Sequence, residues 1–292
     1  MRPVQFILTF LALFLATTVL IEPTIVALAP PTADLAGNLG IEPTDPGRPS
    51  GPTGQWPQVP LLNVEQRVFE LVNEERAKRD MSQLLLDTTL VDIARTHSAD
   101  MLDRGFFDHV NPDGDGPADR VAQAHRRLIG GTSENVWAGI RSEIIETEEL
   151  AGRIMNGLMN SPDHRANILT EKLTHMGVGV TRGPGRRVLT WQTMATQLFA
   201  EVAAYTADPV PGSFSWGHMA NFSIDTESSR IGRPEMFDLW SKEEDRRVFG
   251  PEPTRRTHMH APVGTYELRF YFRVGSTLRF VIHSGPQVVI VQ

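Results

Sequence analysis

An α+β fold, a three-layer α-β-α sandwich followed by a smaller β-rich module, is the architecture this sequence predicts. From Leu61 to about Phe199, stretches with apolar residues three, four and seven apart come first. Two strand-like stretches then follow, "HMGVGVTR" and "RVLTWQTMATQLFAEV", the second apolar on both sides as a strand covered on both faces is. Helices around such a small sheet make layers. Near the C-terminus the period drops to two: Tyr266, Leu268, Phe270, Phe272 and Val274 alternate with Glu267, Arg269, Tyr271 and Arg273.

In chain order, residues 1–29 read as a signal peptide or an uncleaved signal anchor. Arg2 precedes an apolar run from Phe6 to Ile21, which Glu22 and Pro23 interrupt, and "ALA" (27–29) offers a cleavage point, although Pro30 beyond it is unfavourable. Residues 30–60 are crowded with Pro and Gly and poor in apolar groups, as a flexible linker is. Residues 61–204 carry the helices and strands, and 205–292 the β-rich module, with the divide between Ala204 and Pro211.

The first helix runs over "NVEQRVFELVNEERAKRD". Asn63 and Gln66 suggest a capping box, and Val64, Val68, Leu71, Val72 and Glu75 share a face. The second runs over "DTTLVDIARTHSADMLDRG", capped by Asp87 or Thr88 and stopped by Gly105, with Leu90, Ala94, His97 and Met101 on one face. A short third helix enters at Pro117 and extends to Leu128. A fourth faces Ile144, Leu150, Ala151, Ile154, Met155, Leu158 and Met159 inward. "SPDHRANIL" restarts a fifth, with Ser161 as N-cap and Pro162 at the first helical position. "RGPGR" turns between the two strands, Gly177 and Gly179 allow close backbone approach, and "SFSWGHMANFSID" reads as short strands. After a turn at Gly275-Ser276, Leu278, Phe280 and Ile282 complete a half-buried hairpin.

Composition removes several function classes. The 292 residues include no cysteine, so no disulfide, cysteine nucleophile or thiolate metal site is available. Net charge is −7 with no basic face, which argues against nucleic acid as a partner. There is no Gly-x-Ser-x-Gly elbow and no His-Glu-x-x-His helix.

Three residues stand out for chemistry. His164 lies in the first turn of a helix, where a cation is disfavoured and a neutral imidazole is therefore expected. Alone, such a histidine more often bonds nearby backbone. His109 follows an aromatic pair in "GFFDHVNPDG", and Glu134 lies in "SENVW", in a strand or turn. Two histidines and one carboxylate could hold Zn, Mg or Ca, but spacing does not show that they meet. His97 reads as a packed histidine, and Asp113, Asp115 and Asp119 as a turn. His258 and His260 read as a surface loop that could clip a metal.

The ordered set "LVNEERAKRD", "IARTHSADML", "GFFDHVNPDG", "DR" (Asp119-Arg120), "SENVW", "MNSPDHRANIL", "MGVGV" and "TQLF" resembles the bacterial branch of the CAP superfamily, or SCP domain, over Leu61 to Phe199. The superfamily includes cysteine-rich secretory proteins, antigen 5 and pathogenesis-related class 1 proteins. The resemblance implies an α-β-α sandwich with a central cleft of histidines and acids that can bind a divalent cation. On this chain those positions map to His109, Glu134 and His164. The chain departs from the pattern where Ser133 replaces a glycine, Leu158 a tryptophan and Asp163 a glycine. Ser161 and Met194 stand where eukaryotic members carry a second acid and a second histidine. The implied function is a secreted binding module for a small apolar ligand, a divalent cation or both, with the tail contacting a cell-surface component. A metal- or histidine-assisted hydrolase and a structural or adhesive protein are the alternatives. Contact with a membrane is expected only through a signal anchor.

Overall fold

The computed structural model describes residues 59–185, 189–225, 229 and 231–292. The expected signal segment and nearly all of the linker lie outside the described residues. The elements are β1 (Val59–Pro60), α1 (Leu62–Ala77), β2 (Leu85–Leu86), α2 (Thr88–Arg104), α3 (Pro117–Ala124), β3 (Leu128–Arg141), α4 (Thr147–Asn160), α5 (Pro162–Ile168), β4 (His175–Pro184) and β5 (Trp191–Thr206). After these come β6 (Ser213–Ser215), β7 (Met219–Asn221), β8 (Ile224–Asp225), β9 (Pro234–Ser241), β10 (Arg246–Pro253), β11 (Arg255–His258), β12 (Gly264–Arg273) and β13 (Phe280–Val291).

The first sheet orders its main strands β1-β4-β5-β3, so β3 is an edge. One face buries Met176, Val178, Val180 and Phe199 against Val64, Val68 and Val72 of α1 and Leu150, Ile154 and Leu158 of α4. On the other face α2 lies almost on the strands, because β4 offers it glycines. A Cβ on Gly177 would come within 2.2 Å of the Leu90–Val91 backbone, and one on Gly179 within 2.1 Å of the Arg95 nitrogen. Ser98 Oγ takes advantage of that proximity and donates to the Gly179 carbonyl at 2.9 Å. Helices on both faces of the sheet make the three-layer sandwich that the periodicity predicts.

The second sheet runs β10-β9-β12-β13-β6, and β11 pairs with β7 as a separate ribbon. Its inner face buries Phe237, Leu239, Leu268, Phe270, Phe272, Val288 and Ile290 in one cluster with Ile129, Ala203 and Ala204 of the first sheet. β5 ends at Thr206, within the expected divide between Ala204 and Pro211, and pairs there with β8. The two halves therefore share a core.

Several local expectations are corrected. Asn63 does not cap α1: the helix begins at Leu62 after Leu61, with no side-chain cap. The charged residues buried on it are Glu65, which accepts from Arg95 and the Val180 nitrogen, and Arg76, whose guanidinium donates to the carbonyls of Ser82, Ile168 and Thr170, while Glu75 stays partly exposed. The third helix ends at Ala124, and Leu128 starts β3, a strand of 14 residues where the sequence suggests only a short strand or turn. Ile144 precedes α4 and is 65 % exposed. Leu278 is 85 % exposed at the hairpin turn, so the buried pattern of β13 resumes only at Gly285. Asp87 and Gly105 do bound α2: Asp87 accepts from the Thr89 and Leu90 nitrogens, and Gly105 takes φ 69°.

Candidate functional site

The site forms where the β3 edge, the loop after α2 and the starts of α3 and α5 meet. Successive residues of a strand face opposite sides. Glu134 therefore points to the α2 and α3 side with Val136 and Ala138, and Asn135 to the α4 and α5 side.

Glu134 is 5 % exposed and both carboxylate oxygens are engaged. Oε1 accepts from His109 Nδ1 at 2.9 Å, and Oε2 accepts from Arg120 Nη2 at 2.6 Å. Burial pushes the Glu134 carboxyl up, but the hydrogen bond from His109 and the charge of Arg120 outweigh it and hold the group below its usual range. An ionised carboxylate only accepts, so His109 donates from Nδ1, and Nε2 is the nitrogen that offers a lone pair whenever the ring is neutral. The His109 side chain is 21 % exposed.

Arg120 also fixes the loop it faces, donating from Nη1 to the carbonyls of His109 and Asp115 at 2.8 Å each. Its Nε is buried without a partner. His97 forms the floor. Its Nε2 donates to the Asp108 carbonyl at 3.0 Å and lies 3.8 Å from Glu134 Oε1, while Nδ1 is buried without a partner. Burial lowers the His97 pKa, and the Arg120 charge adds to that against the pull of Glu134, so the ring is neutral.

His164 enters from α5. It is 7 % exposed; burial first and the charge of His109 second push its pKa down, against a small opposing effect of Asp163. The expected neutral form thus has burial as its main cause. Ser161 occupies the N-cap position without a capping side-chain bond. Amides tie α5 to β3: Asn135 Nδ2 donates to the His164 carbonyl at 3.1 Å and to Gln197 Oε1 at 3.0 Å. Asn167 Nδ2 donates to Asn135 Oδ1 at 2.9 Å and to the Glu134 carbonyl at 3.2 Å. Arg76, beneath the far end of α5, holds its last carbonyls.

The structure thus brings His109 and Glu134 into contact and sets His164 within electrostatic reach of His109. Glu134 stands behind His109 rather than beside it as a third ligand, since its oxygens are taken. Among the described residues no group of three or more His, Asp or Glu is arranged to hold a metal ion. The donors left to a cation are the lone pairs of His109 and His164. Sequence reasoning gave no role to Arg120, which lies on a short polar helix. It also set His97 aside, although its spacing on the α2 face marked it as buried. The predicted turn over Asp113–Asp119 is present: Asn111 Oδ1 accepts from the Asp113 and Asp115 nitrogens, and Asp119 closes onto the Gly116 nitrogen.

A small surface pocket is lined by Trp137, Ile145, Leu150 and Trp191 together with Arg141, Glu143, Arg153 and Arg182, and none of the three predicted site residues lines it.

The sequence profile of the cysteine-rich secretory protein family, CAP, matches residues 69–199. The chain is 35 % identical over 115 residues to the uncharacterized protein YkwD of Bacillus subtilis, covering 39 % of this chain and 41 % of that protein. It is 26 % identical over 128 residues to the uncharacterized membrane protein YlbC of the same organism, covering 44 % and 34 %. The chain therefore spans about two fifths or less of the length of these relatives. Among solved structures it is similar to an extracellular SCP-domain protein of Bacillus anthracis, at 27 % identity and a TM-score of 0.38 over 48 % of this chain and 40 % of that one. It is also similar to an outer surface protein of Borrelia burgdorferi, at 19 % identity and a TM-score of 0.40 over 51 % and 99 %.

Proposed function

Since residues 69–199 form a CAP domain of the bacterial type, we propose that this chain is an extracytoplasmic binding module whose cleft takes a divalent cation through His109 and His164. The observation that carries this reading is the 2.9 Å bond between His109 Nδ1 and Glu134. A carboxylate behind the imidazole fixes its tautomer and raises the basicity of the other nitrogen, which is how metal-binding histidines are commonly supported. Arg120 keeps that carboxylate ionised, and burial keeps His164 neutral and able to donate a lone pair. A bound cation would supply a Lewis acid that polarises a ligand oxygen or a water. An apolar ligand is the weaker reading for this cleft, because the groups that meet there are a carboxylate, a guanidinium and imidazoles. Extracytoplasmic placement rests on the apolar N-terminal segment; among the described residues no helix is long and apolar enough to cross a membrane.

The test is calorimetric titration of Zn²⁺ into the full chain carrying His258→Ala and His260→Ala, so that this exposed pair does not contribute. His109→Ala should abolish the binding isotherm, and Glu134→Gln should weaken it about 10- to 100-fold. An isotherm unchanged by His109→Ala would rule the reading out. The same dyad favours a second reading, in which His109 Nε2 acts as a general base in a hydrolase. A peptidase and esterase screen separates the two, because activity lost in Glu134→Gln without added metal would favour hydrolysis.

A further inference from the structure

The C-terminal module carries a second group of donor side chains, unrelated to the cleft. β7 pairs antiparallel with β11 and sets Met219 directly opposite His258. The ribbon's two faces are distinct: Ala220 and Met259 are 1 % and 0 % exposed and join the module's core. Alternation then turns Met219, His258 and His260 outward, and all three are exposed. Directly opposed residues of an antiparallel pair bring their Cβ atoms within about 5 Å, so the Met219 thioether is within reach of the His258 ring.

His258 Nδ1 hydrogen-bonds the Gly217 carbonyl at 2.9 Å. A carbonyl only accepts, so Nδ1 carries a proton and Nε2 is the nitrogen left to a metal, the second-sphere arrangement typical of a ligating histidine. The His258 and His260 rings lie 6.0 Å apart, centroid to centroid, with planes at 16°. The rings are stacked side by side, and both are exposed, so a side-chain rotation of His260 brings a nitrogen of each ring to about 2.0–2.1 Å from one ion. The backbone around them is cross-linked, with Gly217 N donating to the Met259 carbonyl at 2.7 Å and Met259 N to the His218 carbonyl at 2.9 Å. The backbone that carries the ligands is therefore fixed before any ion arrives. Two imidazoles with a thioether make a soft, carboxylate-free donor set, which selects copper over magnesium or calcium and, in its reduced state, over zinc. Trp216, 59 % exposed, packs on His260 with centroids 4.7 Å apart.

We propose that Met219, His258 and His260 form a copper-binding site on the outer face of the C-terminal module. It stands apart from the His109 cleft and does not depend on that reading. Trp216 supplies the readout. The full chain is titrated with Cu(II), and separately with Cu(I) under a reductant in competition with a chromophoric chelator. One equivalent should quench the share of tryptophan emission that Trp216→Phe removes. His258→Ala with His260→Ala should weaken binding by at least about tenfold, and Met219→Leu should weaken Cu(I) binding more than Cu(II) binding. The three side chains are exposed, so these variants should fold, which far-UV circular dichroism checks. Copper affinity unchanged in the double histidine variant, Cu(I) affinity unchanged in Met219→Leu, or binding that vanishes with His109→Ala instead would overturn the assignment.

Discussion

Glu134 of the CAP domain and Asp238 of the C-terminal module are both sealed carboxylates, but their partners differ in kind. Asp238 is 0 % exposed on the outer face of the second sheet, beneath two arginines and a tyrosine. Arg247 donates to it at 2.9 Å, Arg269 at 2.8 and 2.6 Å, and the Tyr271 hydroxyl at 2.5 Å, while Arg269 lies 3.8 Å over the Trp240 ring. Glu134 has a single arginine, and its other oxygen goes to an imidazole whose far nitrogen is free. Permanent cations and a phenol close a carboxylate off, whereas a histidine passes its influence on to whatever binds next. Asp238 reads as a strut by this contrast, and Glu134 as part of a site.

The comparison breaks most easily at the strut. Asp238→Asn leaves Arg247 and Arg269 facing each other without a counter-charge, and should cost about 3 kcal/mol in urea unfolding, the lower end for a broken buried pair because Arg247 is partly exposed. A loss well under 1 kcal/mol would show that this carboxylate is not a strut. Glu134→Gln keeps the shape and still accepts one hydrogen bond, with only Arg120 uncompensated. It should cost about 1–3 kcal/mol, so a larger loss than at Asp238 would reverse the contrast.

Acid sharpens the comparison further. His97, His164 and His283 all have pKa values pushed below 6.5, chiefly by burial. The fold holds these rings neutral, so below pH 6.5 the unfolded chain binds more protons and stability rises with pH. Melting temperature should be level above about pH 7 and should fall on acidification through 6.5. The depressed Glu134 adds a further loss only below its ordinary 4.5. His97→Asn with His164→Asn should remove most of the slope between pH 5 and 6.5. If His283→Asn flattens it more, acid sensitivity belongs to the tail and not to the cleft.

The smallest expected effect concerns caps. Asp87→Ala should cost about 1–2 kcal/mol, because Asp87 caps α2 and also accepts from His125 Nε2 and the Tyr205 hydroxyl. Ser161→Ala, with no capping bond to lose, should stay within about 0.5 kcal/mol.

What was readable in the sequence followed local rules. Asp87, Gly105 and the β4 glycines declare themselves through cap and strand chemistry, and the buried face of α2 through its spacing. β3 hid because Gly130-Gly131 and the polar run Thr132–Asn135 break the apolar alternation of an edge strand that is half functional. His109 and Glu134 could be named by resemblance, but not their contact, because it joins residues 25 apart through a loop that Arg120 shapes. Arg120 entered only as part of the "DR" in the resemblance, with no role attached: on a short polar helix, an arginine bound for a buried carboxylate looks like any solvated one.

That same helix is gripped from outside its domain. Lys242 pairs with Asp119 in the first turn of α3, and Arg126 just past its end donates to the carbonyls of Val210, Pro211 and Gln287. Between those two anchors sits Arg120. The C-terminal module is therefore not an interchangeable appendage. A chimera that grafts another sequence after residue 204 would have to resupply a cation for Asp119 and carbonyls for Arg126, or the cleft would inherit a misaimed arginine.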